Sequence, residues 1–258
     1  MWFKVKSFIS FLFKSTNQHG VHSPFVYDLV TKCFYKKTNS TKIRKVNNAK
    51  QWLQSNKQLI QVTDFGSGSK IFKSNDRKIA DIAKIAGITH KKASLLLKLL
   101  AYFKPSTILE IGTSVGLGTT TLSIGSPNSK IDTLEGCNNT GAVAQELFDK
   151  FECKNVQLTI GTFNDTLKTV IRNKSFDLIY FDGNHKKDAT LNYFNECLQA
   201  ADNNSVFIFD DIHWSIEMQE AWSVIKEHPK VTVTIDTYFW GLVFFREEQA
   251  KQHFTIRC

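Results

Sequence analysis

The stretch ILEIGTSVGLGT, residues 108–119, decides the fold. A short apolar run stops at Glu110 and breaks into three glycines, Gly112, Gly116 and Gly118. This pattern is typical of a β-strand that ends in a tight turn and opens a helix. Glycine lacks the Cβ that would keep the backbone from a ligand, and the start of a helix offers backbone N–H groups. The stretch predicts a nucleoside-type cofactor at this turn, with Gly112 and Gly116 in contact with it.

A second acidic residue lies at the end of the next predicted strand. Glu135 follows the strand Lys130–Leu134 and stands 135 − 112 = 23 residues after Gly112. About 20 residues separate the glycines from the ribose-binding acid in a nucleotide-binding βαβ unit. We therefore predict that Glu135 accepts hydrogen bonds from both ribose hydroxyls.

From residue 108 onward, strand and helix patterns alternate. Alternation of this kind predicts an α/β, Rossmann-like, doubly wound fold with a mostly parallel sheet of seven strands. The last two strands are joined by only a short loop, so they form an antiparallel hairpin. The predicted strands are Thr107–Ile111, Lys130–Leu134, Val156–Ile160, Phe176–Phe181, Ser205–Phe209, Val231–Asp236 and Gly241–Arg246.

The first hundred residues have a different character. We predict an N-terminal helical extension or lid over residues 1–104 and a cofactor-binding domain over residues 105–258. Within the extension, Lys36–Lys50 is rich in Lys, Asn and Thr and is interpreted as an exposed loop. Val62–Ser69 also resembles a Gly-rich cofactor turn, but the basic, helical Lys70–Ala86 follows it and no second strand with a terminal acid does. It is interpreted as a loop of the extension.

Composition indicates one enzyme-sized unit, with 258 residues, 42% hydrophobic and 22% charged. The lysines behind the net charge of +9 are widely spread, which favours a solvated basic surface, and we expect no nucleic-acid partner. The five cysteines contain no CxxC pair, which favours reduced thiols and a cytoplasmic location.

Two N-terminal segments leave alternatives open. Residues 1–14 are apolar, aromatic and basic, yet too short to span a bilayer, and no signal-peptide cleavage site follows. This segment either packs on its own domain or lies on a membrane or a partner. Gln18–Phe25 contains two histidines and is interpreted as a tight turn before a helix. A homodimer is also left open.

The Gly-rich turn, the acid on the second strand and the final hairpin resemble the class I S-adenosylmethionine-dependent methyltransferases over roughly Leu95–Arg246. The resemblance implies that the backbone at Gly112 holds the methionine part of S-adenosylmethionine. It implies that Thr113 and Thr119 assist the cofactor carboxylate and that Glu110 acts through the amino group or a water. By the same resemblance, three residues after the third strand flank the adenine: Thr162, Phe163 and Asn164.

Further acidic residues follow the fourth and fifth strands. Asp182 and His185 come after the fourth, and Asp210 and Asp211 after the fifth. The carboxyl ends of parallel strands meet at the ligand crevice, so the three carboxylates are expected to converge there. They would repel one another unless some were protonated or a cation neutralised them, and carboxylate oxygens suit Mg²⁺. The interpretation left open is that Asp182 only orients the cofactor and that Asp210 or Asp211 caps a helix.

These acids strengthen the resemblance to metal-dependent O-methyltransferases of the catechol and macrolide-sugar types. It implies a divalent-metal-assisted methyl transfer to the hydroxyl of a small-molecule acceptor. His185 falls where catechol-type enzymes place a lysine base, and histidine serves as a base near neutral pH. His213 is the alternative base, and Trp214 is a candidate wall of the acceptor site.

Other functions remain open at this stage. A nicotinamide-dependent oxidoreductase would carry G-x-G-x-x-G, whereas this chain has Gly112-x-x-x-Gly116-x-Gly118 and a terminal hairpin that such enzymes are not expected to have. A non-catalytic or hydroxylase-like member of the same fold also fits the pattern. The sequence does not decide between O- and N-methylation.

Overall fold

The computed structural model describes residues 2–66, 72 and 74–258. Its main element is a mostly parallel sheet of eight strands with helices on both faces, one strand more than predicted. The chain divides into two compact units, Lys37–Val170 and a second that combines Met1–Lys36 with Ile171–Cys258. The predicted boundary at residue 104 does not coincide with a boundary between these units.

The elements are numbered along the chain. The helices are α1 (Trp2–Lys14), α2 (Pro24–Leu29), α3 (Ser40–Ser55), α4 (Ile79–Ile85), α5 (His90–Phe103), α6 (Leu117–Gly125), α7 (Asn138–Lys150), α8 (Phe163–Ile171), α9 (Lys187–Cys197) and α10 (Ile216–Glu227). The strands are β1 (Leu59–Gln61), β2 (Asp76–Lys78), β3 (Thr107–Ile111), β4 (Lys130–Glu135), β5 (Val156–Ile160), β6 (Leu178–Phe181), β7 (Val206–Asp210), β8 (Val233–Asp236), β9 (Trp240–Phe244) and β10 (Gln252–Thr255). A π-helical turn, Val30–Phe34, continues α2.

The unit Lys37–Val170 contains three parallel strands in the order β3-β4-β5. In β3 every residue after Thr107 is buried, as expected for a strand covered on both faces. The register sets Glu110 opposite Thr133, which brings a carboxylate beside a hydroxyl on the neighbouring strand. This pairing positions Glu110 and Thr133, which are part of the candidate site described below.

Helix α3 corrects the interpretation of Lys36–Lys50 as an exposed loop. The helix begins after Asn39, whose side chain accepts a hydrogen bond from the backbone N–H of Lys42, a standard N-cap. Its buried residues are Val46, Ala49 and Leu53, which follow the i, i+3, i+7 spacing of one helical face. The loop prediction was wrong because this narrow apolar stripe lies among many lysines and asparagines.

A two-stranded antiparallel hairpin includes the start of the described part of Lys70–Ala86, which was predicted to be helical. Strand β1 pairs with β2, and helix begins only at Ile79. Within the described part of Lys70–Ala86, the predicted helix is confirmed over Ile79–Ile85, whereas Asp76–Lys78 forms a strand. Residues 67–71 and 73 of this segment lie outside the described residues.

The other unit contains five strands in the order β10-β8-β9-β7-β6. Strands β6 and β7 are parallel, and β9 runs antiparallel to both β7 and β8, which confirms the predicted terminal hairpin. Strand β10 pairs in parallel with β8 and was not predicted. Aromatic side chains fill the core of this unit, including fully buried Phe207, Phe209 and Trp240.

The N-terminal segment is helical, as predicted. Ser7 and Phe11 are the buried residues of α1. The turn that follows is a short 3₁₀ helix capped by Asn17, and Ser23 caps α2 with Pro24 in its first turn, which confirms the tight turn before a helix. No helix within the described ranges combines the length and hydropathy needed to cross a bilayer.

Gly116 gives a direct test of this fold. A Cβ there would lie 2.9 Å from Cε1 of Phe148 and 3.0 Å from Cα of Ala144, and the residue has a φ of +84°. We expect Gly116→Ala to lower the free energy of unfolding by about 2 to 4 kcal/mol, combining the left-handed backbone and the overpacking of α7. Denaturant unfolding would measure this change.

Gly141→Ala is the matched control. Gly141 lies inside α7, and a Cβ there would first meet Cδ1 of the partly exposed Ile160, a flexible side-chain end. We expect unchanged or slightly higher stability, since alanine is the better helix former. Equal losses in both variants would contradict the assigned role of Gly116.

Candidate functional site

The Gly-rich turn after β3 is held to β4 by its own backbone. The N–H groups of Gly112 and Thr113 both donate to the carbonyl of Leu134, at 3.0 and 3.1 Å. Gly112 and Ser114 have φ values of +111° and +52°, so the chain reverses sharply before α6 begins. The conformation at Gly112 fits the predicted close approach of a ligand, whereas Gly116 is explained by the packing of α7 described above.

Glu135 clamps this turn from the end of β4. Its Oε2 accepts the N–H of Ser114 at 2.7 Å, and its Oε1 accepts the N–H of Cys137 and the hydroxyl of Thr140 at 2.9 and 3.0 Å. Burial raises the pKa of Glu135, although these hydrogen bonds oppose the shift. Each carboxylate oxygen can accept two hydrogen bonds, so Oε2 keeps capacity for a further donor such as a ribose hydroxyl.

Glu110 is completely buried behind the turn. Its Oε2 accepts hydrogen bonds from the hydroxyls of Thr119 and Thr133, the latter at 2.7 Å. Desolvation raises the pKa of Glu110 to about 7, against the effect of these bonds. Its other oxygen, Oε1, has no hydrogen-bond partner among the described residues. A buried acceptor without a donor is costly, so this atom fits an additional donor, such as an ammonium group or a water.

The predicted carboxylate-binding threonines lie in the same buried cluster. Thr119 Oγ1 donates to Glu110, and Thr113 Oγ1 lies 2.6 Å from Thr133 Oγ1. Both Thr113 and Thr119 are buried. In this arrangement their hydroxyls organise the interior of the turn.

The three residues predicted to flank adenine are at the start of α8. Thr162 precedes the helix and its hydroxyl donates to Asp165 at 2.6 Å, while Phe163 is half-buried and Asn164 is exposed. The segment is therefore accessible for contact with a ligand, as the prediction requires.

Sequence reasoning missed the hairpin that packs after Glu135. The ring of Phe65 lies against Gly136, where a Cβ would come within 2.7 Å of Cδ2. Asn139 Nδ2 donates to the carbonyl of Gln61 at 2.7 Å. The segment first interpreted as an extension loop thus borders the predicted ribose position. The sequence signal for this contact is weak, since β1 and β2 have only three residues each.

In the unit that contains β6 and β7, Asp182 and His185 form a pair after β6. His185 Nε2 lies 3.9 Å from Asp182 Oδ1, and both side chains are about a fifth to a quarter exposed. Asn184 adopts a left-handed conformation, which asparagine tolerates, and its amide donates to Tyr193 OH at 3.2 Å. The turn therefore fixes a histidine beside a carboxylate in a solvent-accessible position.

Asp210 and Asp211 lie at the turn that follows β7. Asp210 is buried and turns its Oδ1 back to the N–H of Asp211 at 2.9 Å. That N–H also donates to the carbonyl of Phe239, and Asp211 has a φ of +53°. Among residues 2–66, 72 and 74–258, no group of three His, Cys, Asp or Glu side chains is arranged to hold a metal ion.

His213 is hydrogen-bonded through both ring nitrogens. Its Nε2 lies 2.7 Å from Asp236 Oδ2, and its Nδ1 lies 2.8 Å from Gln219 Nε2 and 3.0 Å from Ser7 Oγ. The amide nitrogen of Gln219 can only donate, so Nδ1 accepts and Nε2 donates to Asp236. No lone pair remains on the ring to take a proton from a substrate.

The partners of His213 were also missed by sequence reasoning. Tyr238 stacks on the imidazole with a centroid distance of 5.2 Å and donates its hydroxyl to the carbonyl of Lys4. Asp236, Gln219 and Ser7 are far apart in the chain, and no motif marks them. These contacts assign His213 to a network that holds α1.

Residues 109–212 match a family model described as a methyltransferase domain. A comparison of the sequence with curated proteins finds no significant match. The family match covers the turn at Gly112, Glu135 and the segment that contains Asp182 and Asp210.

Solved structures share the architecture at low sequence identity. The SAH-bound methyltransferase PaMTH1 of Podospora anserina has a TM-score of 0.62 and 17% identity, over 86% of this chain and 94% of that one. An O-methyltransferase from Bacillus cereus in complex with SAH has 0.57 and 17%, over 85% and 95%. The O-methyltransferase TomG of Streptomyces achromogenes, involved in tomaymycin synthesis and solved with SAM, has 0.57 and 16%, over 90% and 99%.

These findings define the fold. The chain has the fold of the class I S-adenosylmethionine-dependent methyltransferases, as the Gly-rich turn and the terminal hairpin predicted.

The raised pKa of Glu110 predicts a stability that depends on pH. The folded state favours the protonated acid, so this contribution is complete below the ordinary pKa of 4.5 and is lost as pH rises through about 7. Relative to Glu110→Gln, we expect the wild type to lose about 2 kcal/mol of unfolding free energy between about pH 5 and pH 8.

Denaturant unfolding at the two pH values would measure this difference. Glu146→Gln removes a carboxylate from the exposed side of α7 and serves as the control, for which we expect no comparable change. A constant difference between the wild type and Glu110→Gln across this range would contradict the assigned shift.

Proposed function

We propose that this chain transfers the methyl group of S-adenosylmethionine to a hydroxyl group of a small-molecule acceptor. The observation that carries the proposal is the contact between Glu135 Oε2 and the N–H of Ser114. It places a partly buried carboxylate with spare acceptor capacity directly against a Gly-rich turn, which is the arrangement needed for a ribose beside a methionine group.

The residues around the turn fit this cofactor. Glu135 would accept the ribose hydroxyls, and Glu110 Oε1 would accept from the amino group directly or through a water. The sulfonium of S-adenosylmethionine supplies an electrophilic methyl group. Thr162, Phe163 and Asn164 would border the adenine, and the hairpin residue Phe65 adds an aromatic side chain beside Gly136.

The Asp182–His185 pair would remove the acceptor proton. A hydroxyl is a weak nucleophile until its proton is transferred to a base, and a neutral imidazole can accept that proton near pH 7. Asp182, 3.9 Å away, would stabilise the resulting imidazolium. His213 is not proposed as the base because both of its nitrogens are engaged.

Whether the proposed methyl transfer depends on Mg²⁺, as the sequence predicts, is a separate part of the proposal. In the described geometry Asp182, Asp210 and Asp211 do not form a set that fits a divalent ion. The proton transfer is therefore derived from His185 and Asp182 alone. The catechol-type resemblance still predicts a metal, so chelation is part of the test.

Calorimetric titration of S-adenosylmethionine is the first test. We expect binding to the wild type in chelator, and a roughly 10- to 100-fold weaker affinity for Glu135→Gln, since a hydrogen bond to a charged acceptor contributes about 1.5–3 kcal/mol. Glu146→Gln is the matched control and should bind like the wild type.

The same titrations with added Mg²⁺ address the metal. Equal affinity in chelator and in Mg²⁺, with no uptake of the ion, would support the metal-independent form of the proposal. Mg²⁺ uptake that is lost in Asp182→Ala and Asp210→Ala would instead show that these carboxylates rearrange around a metal. Failure of the wild type to bind the cofactor in either buffer would overturn the proposal.

Turnover tests the base. With a hydroxyl acceptor found by screening catechols and phenols for SAH formation, we expect His185→Gln to lower kcat by about 10²- to 10⁴-fold. Cofactor affinity should be unchanged, and the remaining rate should no longer rise with deprotonation of a histidine. His22→Gln, in an exposed turn, is the control. A wild-type rate in His185→Gln would contradict this role.

A further inference from the structure

Helix α1 exposes a continuous apolar surface. Six of its apolar side chains are between 41% and 88% exposed: Trp2, Val5, Phe8, Ile9, Leu12 and Phe13. At about 100° per residue, these positions fall within an arc of about 140° on one side of the helix. We call this set the apolar face of α1. A surface helix of a globular protein normally places its polar residues on this side.

The opposite side of α1 is fixed to its own unit. Phe11 is buried and lies 5.4 Å from the ring of Tyr238. Ser7 Oγ contacts both His213 and Gln219, and the hydroxyl of Tyr238 donates to the carbonyl of Lys4. These specific contacts set the rotation of the helix, so rolling the apolar face inward would break them.

Charge on the helix distinguishes between partners. The segment 1–14 contains three lysines and no acidic residue, and the whole chain has a net charge of +9. Lys6 and Lys14 are exposed, with Lys6 at the border of the apolar face. Aromatic residues stand at both ends, since Trp2 is 83% and Phe13 is 88% exposed. Exposed apolar and aromatic side chains bordered by lysines are characteristic of a helix that lies in the interface of an anionic bilayer.

We infer that α1 binds the surface of membranes that contain anionic phospholipids, and that the chain is a peripheral membrane protein. Thirteen helical residues extend about 20 Å, which is too short to cross the hydrocarbon core but suits a helix parallel to the surface. The apolar face would enter the boundary between headgroups and acyl chains, while Lys6 at its border contacts the phosphates. This inference does not rest on the proposed methyl transfer.

Vesicle sedimentation of the full chain tests the inference. We expect binding to vesicles of phosphatidylcholine with about a quarter phosphatidylglycerol, and at least tenfold weaker binding to phosphatidylcholine alone. The double variant Trp2→Ser/Phe13→Ser should bind anionic vesicles at least tenfold more weakly. Both residues are the most exposed of the set, so their replacement should leave the thermal unfolding midpoint unchanged.

Two further variants test whether binding requires the apolar face and the lysines of α1. Ile216→Ser/Val224→Ser removes two apolar side chains of α10 that are 61% and 50% exposed, and should bind like the wild type. Lys6→Glu/Lys14→Glu should weaken binding to anionic vesicles and abolish the preference over phosphatidylcholine. A blue shift of tryptophan fluorescence on binding, absent in Trp2→Phe, would place Trp2 in the lipid.

Three outcomes would overturn the inference. The first is absence of vesicle binding by the wild type. The second is equal binding by the wild type and Trp2→Ser/Phe13→Ser. The third is a wild type that binds no vesicles and forms a dimer in sedimentation equilibrium, where Trp2→Ser/Phe13→Ser is a monomer. That result would assign the apolar face to a second copy of this chain.

Discussion

The desolvated side chain of Glu110 is the constraint on which the Gly-rich turn after β3 depends. A fully buried acid must find donors or stay protonated, and here two threonine hydroxyls from α6 and β4 reach the same oxygen. These bonds tie the end of β3 to the neighbouring strand and to the helix that follows the turn. The conformation of the turn, and with it the position of the Ser114 N–H near Glu135, follows from this anchor.

Two acids therefore have separate tasks. Glu110 organises the interior and leaves one oxygen without a donor, while Glu135 stands at the mouth of the turn with several backbone donors. The environment of Glu110 is the more desolvated one: burial raises its pKa to about 7 although two threonine hydroxyls donate to it. A ligand that donates to both acids would give Glu110 Oε1 its missing hydrogen bond and would add one to Glu135, which already accepts several.

Sequence patterns predicted the elements whose signals are local. Strands Thr107–Ile111 and Val156–Ile160 have the predicted bounds because short apolar runs between turns specify them. Helix α3 was missed because its buried stripe of Val46, Ala49 and Leu53 is sparse. Strand β10 was missed because it is short, mostly polar and pairs with β8 alone among the strands of the sheet. The ribose-binding role of Glu135 was predicted from its spacing of 23 residues after Gly112. The network around His213 joins residues up to 234 positions apart, so only the folded chain could reveal it.

The outer edge of the sheet has a consequence for the behaviour of the protein in concentrated solution. Strand β10 covers β8, and Thr16 forms a parallel bridge with Ile256 and thus meets β10 just beyond its last residue. The backbone groups that would otherwise recruit a foreign strand are in part paired by the chain itself. The segments around Thr16 and Ile256 thus protect this edge from pairing with the edge of another molecule. A mechanical load applied to either segment would be transmitted to the same edge.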